Sequence, residues 1–154
     1  VDAAFFVREY LESVGLTSYV KTSGGKGLHV VVPLKPKLDW RKTHTATGEI
    51  ATAIAKAAPE TFVVNMSKEK RQKRIFIDFH RNGRSATAVA PYSLRAKPNL
   101  PASTPVNWSD LRSIDAPEDL NYSTLPGILN ISGDPWAAMD QDAGDLSAAL
   151  KQPK

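Results

Sequence analysis

A glycine-rich turn between two strand-like segments constrains the fold of this 154-residue chain more than any other feature. Residues 19–22 and 28–33 are rich in β-branched side chains, and the five residues between them include three glycines. Glycine adopts the positive φ angles that a tight turn between strands requires. The sequence therefore predicts an early β-hairpin, around which the other elements must be arranged.

Two amphipathic segments flank this hairpin. Residues 3–14 carry apolar side chains at helical spacing and are followed by Gly15, which ends helices well. Asp39 has the chemistry of a helix cap, and the helical pattern after it, beginning with Trp40 on the apolar side, runs to about Ala58 before Pro59. The sequence thus predicts one helix on each side of the hairpin.

A second set of short strands follows the second helix. We expect strands at residues 62–64 and 74–79, a turn at Asn82-Gly83, and a returning strand at residues 86–90. The order helix, hairpin, helix, hairpin predicts an α+β fold with a mainly antiparallel sheet and flanking helices. After Pro91 the proline content rises, and we expect loops and short helices, including one near residues 124–131.

The composition excludes several classes of protein. The chain has no cysteine, which rules out a disulfide scaffold, a thiolate zinc site and a cysteine nucleophile. It has no apolar run near the roughly 20 residues that a membrane helix needs, and no signal-like start. We therefore expect a soluble protein of a reducing compartment with no membrane partner.

The formal charge of +4 conceals an uneven distribution. Residues 65–97 contain nine Lys and Arg against two acids, whereas residues 98–150 contain eight acids against one Arg. A dense basic segment beside an acidic one indicates either a site for a polyanion or a solvated basic loop that docks on an acidic tail of the same chain. Charge alone leaves both interpretations open.

The glycine-rich turn carries side chains suited to a phosphate chain. Ser23, Lys26 and His29 surround it with donors, and backbone N–H groups at such turns point at anions. The Walker order of glycines, lysine and hydroxyl is absent, and a strand follows where a helix would be needed. A plain hairpin turn with an exposed Lys26 is the competing interpretation.

A second candidate site centres on Asp78, which lies in an otherwise apolar segment. A buried carboxylate needs a cation, a metal or several donors, and Mg²⁺ or Mn²⁺ with bound phosphate suits one or two carboxylates. Arg81, Arg84 and Arg95 follow, and guanidinium groups bind phosphate oxygens well. The alternative is an aspartate that ends its strand and bonds to the Asn82-Gly83 turn.

Three ordered segments carry a family resemblance: YVKTSGGKGLHVVVP at residues 19–33, RIFIDFHRN at 74–82 and TAVAPYSLR at 87–95. Weaker matches lie at residues 103–108 and 133–136. Together they resemble the polymerase module of bacterial multifunctional DNA ligase D, in the archaeo-eukaryotic primase superfamily. The resemblance implies a primase-polymerase core of RRM-like fold that adds nucleotides, preferably ribonucleotides, at DNA ends during non-homologous end joining.

The resemblance also implies roles for individual residues. Ser23, Lys26 and His29 would grip the incoming nucleoside triphosphate, whether NTP or dNTP, with Arg81 and Arg95. Asp78 would be the catalytic carboxylate that binds Mn²⁺ or Mg²⁺. The implied partners are DNA ends and, in the same repair pathway, a ligase module and Ku, in the bacterial cytoplasm at the nucleoid.

One part of the family pattern is missing. The Asp-x-Asp pair on a strand before the first helix in the family has no counterpart, since Asp2 stands alone and no strand accompanies it. Two-metal phosphoryl transfer needs several carboxylates. We therefore expect the C-terminal part of a polymerase module, inactive alone and completed by an N-terminal half that is fused or supplied by another chain.

We assign residues 1–97 to the catalytic core and residues 98–154 to a Pro-rich, acidic extension of the same module. Two other functions stay open on the sequence. One is a non-catalytic nucleotide-binding or nucleic-acid-binding module that retains the phosphate grip. The other is a small metal hydrolase that uses His29, Asp78 and His80.

Overall fold

A computed structural model describes residues 1–151 of the chain. Its residues cluster into two compact units, each made of separate stretches of sequence. The first, which we call the hairpin unit, contains residues 17–33 and 89–143 together with Val1. The second, the helical unit, contains residues 2–16, 34–88 and the chain from Gly144 onward. The division at residues 97/98 stays a prediction about the module and does not correspond to these units.

The described residues form four α-helices and five short strands. The helices are α1 (Asp2–Ser13), α2 (Trp40–Ala57), α3 (Leu125–Ser132) and α4 (Leu146–Ala149). The strands are β1 (Tyr19–Thr22), β2 (Leu28–Val31), β3 (Phe62–Val63), β4 (Ile75–Phe76) and β5 (Pro105–Val106). Short 3-10 turns occur at His80–Asn82, Leu111–Ser113, Pro117–Asp119 and Met139–Asp142.

The hairpin unit is built on an antiparallel sheet in the order β2-β1-β5. Val20 pairs with Val30 on one side and Val106 on the other, so β1 is the central strand. Two tryptophans extend the packing around it. Trp108 Nε1 donates to the Ser18 carbonyl at 2.7 Å, and Trp136 Nε1 donates to the Val20 carbonyl at 3.2 Å. The predicted hairpin is confirmed, and β1 holds one end of the glycine-rich turn in a fixed place.

The helical unit buries apolar faces of α1 and α2. Asp39 caps α2 as expected, because its Oδ1 accepts from the Lys42 backbone N–H at 2.7 Å. Ile54 on α2 is 2% exposed, and β3 also packs against this helix. The rings of Phe6 and Phe62 lie 5.5 Å apart, which joins α1 to the same core.

The predicted α+β class and mainly antiparallel sheet are confirmed, with three corrections. Strands β3 and β4 are short and pair in parallel, Phe62 with Ile75. Residues 86–90 form no strand, because this alanine-rich stretch has low β-propensity and Gly83 has φ −90°, unlike a hairpin turn. Trp40 is 61% exposed, since the buried side of α2 begins a turn later, at Ala46.

The composition of residues 144–154 predicts a weak helix or a fraying chain end, and α4 lies within residues 144–151 of this segment. The last part of that prediction, residues 152–154, lies outside the described residues. Within residues 1–151, none of the helices combines the length and the apolar character needed to cross a bilayer.

Candidate functional site

The glycine-rich turn of the hairpin unit is a closed loop. The Ser23 backbone N–H donates to the Gly27 carbonyl at 3.0 Å, and the Gly27 N–H donates to Ser23 Oγ at 3.2 Å. Gly24 has φ +64°, a conformation that L side chains rarely adopt. The conformation of the loop is therefore determined by the positive φ of Gly24 and by the hydrogen bonds between Ser23 and Gly27.

Two cationic side chains cover this loop. Arg95 donates from one guanidinium nitrogen to the Ser23 carbonyl at 2.8 Å, and a Cβ built on Gly24 would lie 2.5 Å from Arg95 Cγ. A Cβ built on Gly25 would lie 2.8 Å from Lys97 Nζ. Glycine is thus required at position 24 by its φ angle and by close approach, whereas a side chain at position 25 would displace only the end of Lys97. Both side chains that approach the loop carry positive charge.

Behind the loop, β1 carries a third cation. Lys21 is 3% exposed, and its ammonium donates to the Val89 carbonyl at 2.8 Å and to Ser103 Oγ at 2.5 Å. Burial lowers the pKa of Lys21, and the positive charge of Arg95 lowers it further. Lys21 and Lys97 are not predicted from the sequence as site residues, although Lys21 lies within the motif of residues 19–33 and Lys97 lies two residues after the motif that ends at Arg95.

The predicted triphosphate residues of this unit are arranged as follows. Ser23 and Arg95 are in direct contact, and the exposed Lys26 lies in the same loop. His29 lies on β2 directly opposite Lys21 in the antiparallel register. The structure therefore places all four within one hairpin and the segment that packs on it.

Among the described residues, no carboxylate forms an ion pair with the positively charged side chains at the loop. Within residues 1–151, the ion pairs join Arg8 to Glu12, Lys37 to Asp145, Lys42 to Asp39 and Arg81 to Asp78. None of them involves the four cations of the loop, which are Lys21, Lys26, Arg95 and Lys97. An uncompensated cluster of cations around a glycine-rich loop has the electrostatics of a polyanion site.

Asp78 and Arg81 lie together in the helical unit. The Arg81 Nε donates to Asp78 Oδ2 at 3.4 Å, and a second guanidinium nitrogen donates to the Thr87 carbonyl at 3.1 Å. The Asp78 side chain is 41% exposed and that of Arg81 is 60% exposed. The carboxylate is therefore not buried in an apolar strand, as its sequence context indicates, but follows a two-residue strand at the surface.

The donor set around Asp78 fits one ligand of a hard cation and not a complete cation site. Within residues 1–151 no group of three or more His, Asp or Glu side chains is placed to hold a metal ion. This finding removes the three-residue metal site of His29, Asp78 and His80 that the hydrolase hypothesis requires. Mg²⁺ bound with phosphate uses one or two protein carboxylates, so Asp78 suits a shared role.

A cluster of rings adjoins Asp78 in sequence. His80 stacks on Phe79 with ring centroids 4.1 Å apart, and the His44 ring of α2 lies 5.7 Å from that of His80. A surface groove of about 980 Å³ runs along α2 past His44 and Phe79, without including Asp78 or Arg81. The rings pack this edge of the helical unit and do not form the metal site of the hydrolase hypothesis.

Comparison with known proteins identifies relatives over nearly the whole chain. Residues 1–136 match the family model described as LigD, primase-polymerase domain. The multifunctional non-homologous end joining protein LigD of Pseudomonas aeruginosa is 37% identical over 144 residues. The bifunctional LigD of Bacillus subtilis is 29% identical over 157 residues.

A solved structure agrees with these matches. The polymerase domain of ligase D from Mycobacterium tuberculosis, solved in complex with DNA, superposes with a TM-score of 0.84 at 30% identity. The match covers 93% of this chain and 50% of that domain. The aligned region amounts to 17% of the Pseudomonas relative and 26% of the Bacillus relative, so the chain spans a minor part of each.

Proposed function

The chain belongs to the LigD primase-polymerase domain family, and on that premise we propose that it is the nucleotide-binding part of a DNA-repair polymerase. That polymerase adds ribonucleotides or deoxyribonucleotides at DNA ends during non-homologous end joining. The relatives are named for that pathway, and the similar ligase D domain was solved with DNA. DNA ends are accordingly the macromolecular partner that we propose.

The observation that supports nucleotide binding best is the uncompensated charge at the loop of residues 23–27. Arg95 and Lys97 lie over the glycines, and Lys21 lies behind them without a carboxylate partner. A triphosphate carries several negative charges and many acceptor oxygens, which match a guanidinium, ammonium groups and a serine hydroxyl. Ser23, Lys26, His29 and Arg95 are therefore the residues that we assign to triphosphate binding.

Asp78 and Arg81 have the second role in this proposal. Asp78 would supply one ligand to Mg²⁺ or Mn²⁺, and the ion would help to neutralise the triphosphate. Arg81 would turn from the Asp78 carboxylate to a phosphate oxygen. The remaining carboxylates would come from an Asp-x-Asp pair in a segment or chain that completes the module, and a ligase module and Ku would act in the same pathway.

One observation favours a second candidate, a nucleotide-binding module without catalysis. Asp78 is the single carboxylate at its site, and the metal ligands needed for in-line transfer are not found together among residues 1–151. The two candidates agree on nucleotide binding and differ on polymerisation. Purified chain that incorporates nucleotides only when an Asp-x-Asp segment is added supports the polymerase.

Titration of the purified chain with ATP, with and without Mn²⁺, tests the proposal. Arg95→Ala should weaken ATP binding about tenfold or more, because a hydrogen bond to a charged group contributes about 1.5–3 kcal/mol. Arg41→Ala removes the same charge from an exposed position on α2 and serves as the matched control. Equal ATP affinity of Arg95→Ala and the unsubstituted protein contradicts the assignment.

A further inference from the structure

Lys21 is the only charged side chain among the buried residues of the described part of the chain. The other buried polar residues, Ser18, Thr22, Ser103 and Thr104, are neutral. Lysine is almost never fully buried unless it is paired. Lys21 has hydrogen-bond acceptors, but they are the neutral Val89 carbonyl and Ser103 hydroxyl. Its burial therefore calls for an explanation beyond packing.

The contacts of Lys21 join the two parts of the loop site. Lys21 lies on β1, two residues before Ser23 at the start of the loop. Its acceptor, Ser103 Oγ, donates onward to the Thr22 carbonyl at 2.8 Å. The Ser103 backbone N–H donates to the Ser93 carbonyl at 2.9 Å, and the Arg95 backbone N–H donates to the Pro101 carbonyl at 2.8 Å. The ammonium thus attaches the segment that carries Arg95 to the strand that carries Ser23.

A neutral donor could make the same two hydrogen bonds without the cost of burying a charge. A buried ion without a counter-charge is unfavourable, and the nearby Arg95 adds repulsion. Both penalties fall when an anion binds within a few ångströms of the two cations. The two hydrogen bonds offset part of the cost of this arrangement in the free protein, and a negatively charged ligand would offset more of it.

We propose that Lys21 is a positioning residue of the triphosphate site, which holds the Arg95-bearing segment against β1 and supplies a fixed positive charge behind the loop. This inference rests on the proposed function, because it takes the loop of residues 23–27 as the place where a polyphosphate binds. It extends the site to a side chain that does not reach the surface and that acts through Arg95 and the loop backbone.

Binding of inorganic tripolyphosphate to the full chain, followed by calorimetry at low salt, tests this role. Lys21→Met keeps most of the side-chain volume and removes the charge, and it should weaken binding about tenfold. Lys21→Arg retains the charge and should recover most of the affinity. Lys35→Met removes one exposed lysine of the helical unit and should change the affinity less than twofold.

The salt dependence separates charge from packing. Loss of an interacting cation lowers the dependence of affinity on salt concentration, whereas a purely structural defect leaves that dependence unchanged. We expect a weaker salt dependence for Lys21→Met than for the unsubstituted chain. A Lys21→Met variant that binds as tightly as the unsubstituted chain, or a Lys21→Arg variant as weak as Lys21→Met, overturns the role of Lys21 and leaves the proposed function intact.

A measurement on the unsubstituted protein does not depend on variant folding. In a chain labelled with ¹⁵N-lysine, the Lys21 ammonium should give a protected signal, because it is buried and hydrogen-bonded. Saturating tripolyphosphate should shift this signal together with that of Lys26. A shift of Lys26 alone overturns the proposal for Lys21, and no shift of either signal overturns the proposed function as well.

Discussion

The interiors of the two compact units of this chain differ in their content of polar residues. All five buried polar residues of the described chain lie in the hairpin unit, namely Ser18, Lys21, Thr22, Ser103 and Thr104. The buried residues of the helical unit are apolar, with Leu16 and Ile54 each 2% exposed. The interior of the hairpin unit therefore combines hydrogen bonds with apolar packing, for example at Val20 and Leu111, whereas apolar packing dominates that of the helical unit.

The two units also differ in how firmly they hold the candidate site residues. The hairpin unit holds Ser23 and Arg95 in contact beside a buried network, so the groups that we propose for triphosphate binding are organised without a ligand. Asp78 and Arg81 of the helical unit are held by an exposed ion pair, which contributes little rigidity. We infer that Ser23 and Arg95 have their binding positions before a triphosphate binds, whereas the side chain of Asp78 changes its position on binding.

The largest effect should come from the apolar interior. Ile54→Ala leaves a cavity against β3 and should lower the free energy of unfolding by about 2–5 kcal/mol. Urea denaturation followed by circular dichroism measures this loss. Ile54→Val is the matched control and should cost about 0.5–1.5 kcal/mol. If Ile54→Ala costs less than the control, the interior of the helical unit does not depend on packing as the comparison states.

A smaller loss should follow from breaking the polar interior. Thr22 Oγ1 donates to the Ala102 carbonyl at 3.2 Å and accepts from the Thr104 N–H at 3.0 Å. Thr22→Val keeps the shape but leaves the Thr104 N–H without its acceptor, while the Ala102 carbonyl retains the Thr104 hydroxyl as a donor. This loss should cost about 1–3 kcal/mol in the same denaturation assay. Thr22→Ser retains the hydroxyl and should cost less. Equal stability of Thr22→Val and Thr22→Ser would show that the network is dispensable.

The same contrast explains which parts of the fold could be predicted from sequence. The helix capped by Asp39 and the hairpin around residues 23–27 are specified by local signals, namely a cap, a periodicity and a set of glycines. Both lie where the sequence predicts them. The failed strand at residues 86–90 had only a turn dipeptide to support it, and its alanines carry little preference for a strand.

The candidate site divides in the same way. Ser23, Lys26 and His29 lie within one motif, so their proximity is visible in the sequence. Lys21 and Ser103 are 82 residues apart, and no local pattern predicts their hydrogen bond. The exposure of Asp78 could not be predicted either, because the apolar residues 75–77 before it and Phe79 after it resemble a buried strand. Only Ile75–Phe76 pairs with another strand.

Alkaline pH should weaken the hairpin unit through two tyrosines. Tyr19 donates to Asp142 at 2.6 Å, and this hydrogen bond raises the pKa of Tyr19 to about 12. The pKa of Tyr92 is raised even more than that of Tyr19. The larger cause is burial, and the second is a hydrogen bond that Tyr92 donates to Asp134. Because the folded state retains these protons, the stabilisation is complete below pH 10 and is lost as the pH rises through the folded-state values.

Urea denaturation at pH 9 and pH 11 measures this effect. We expect a combined loss of about 1 kcal/mol between the two conditions, most of it from the more buried Tyr92, because solvent screens the exposed hydrogen bond of Tyr19. The Tyr19→Phe and Tyr92→Phe variants should each lose correspondingly less between pH 9 and pH 11, because phenylalanine has no proton to release. A double variant that is as sensitive to alkaline pH as the unsubstituted chain contradicts the assignment to these two side chains.

The smallest change in stability should come from the residue with the proposed catalytic role. Asp78→Asn removes an exposed charge from its pair with Arg81 and should alter the free energy of unfolding by less than about 0.5 kcal/mol. It should nevertheless remove the enhancement of ATP binding by Mn²⁺, because an amide is a poor substitute for an anionic ligand of a hard cation. Metal-free binding should persist, since the hairpin unit keeps its cations. A large loss of stability in Asp78→Asn would show that the carboxylate is a structural group. That result would contradict the inference that Asp78 is held weakly and changes its position on binding.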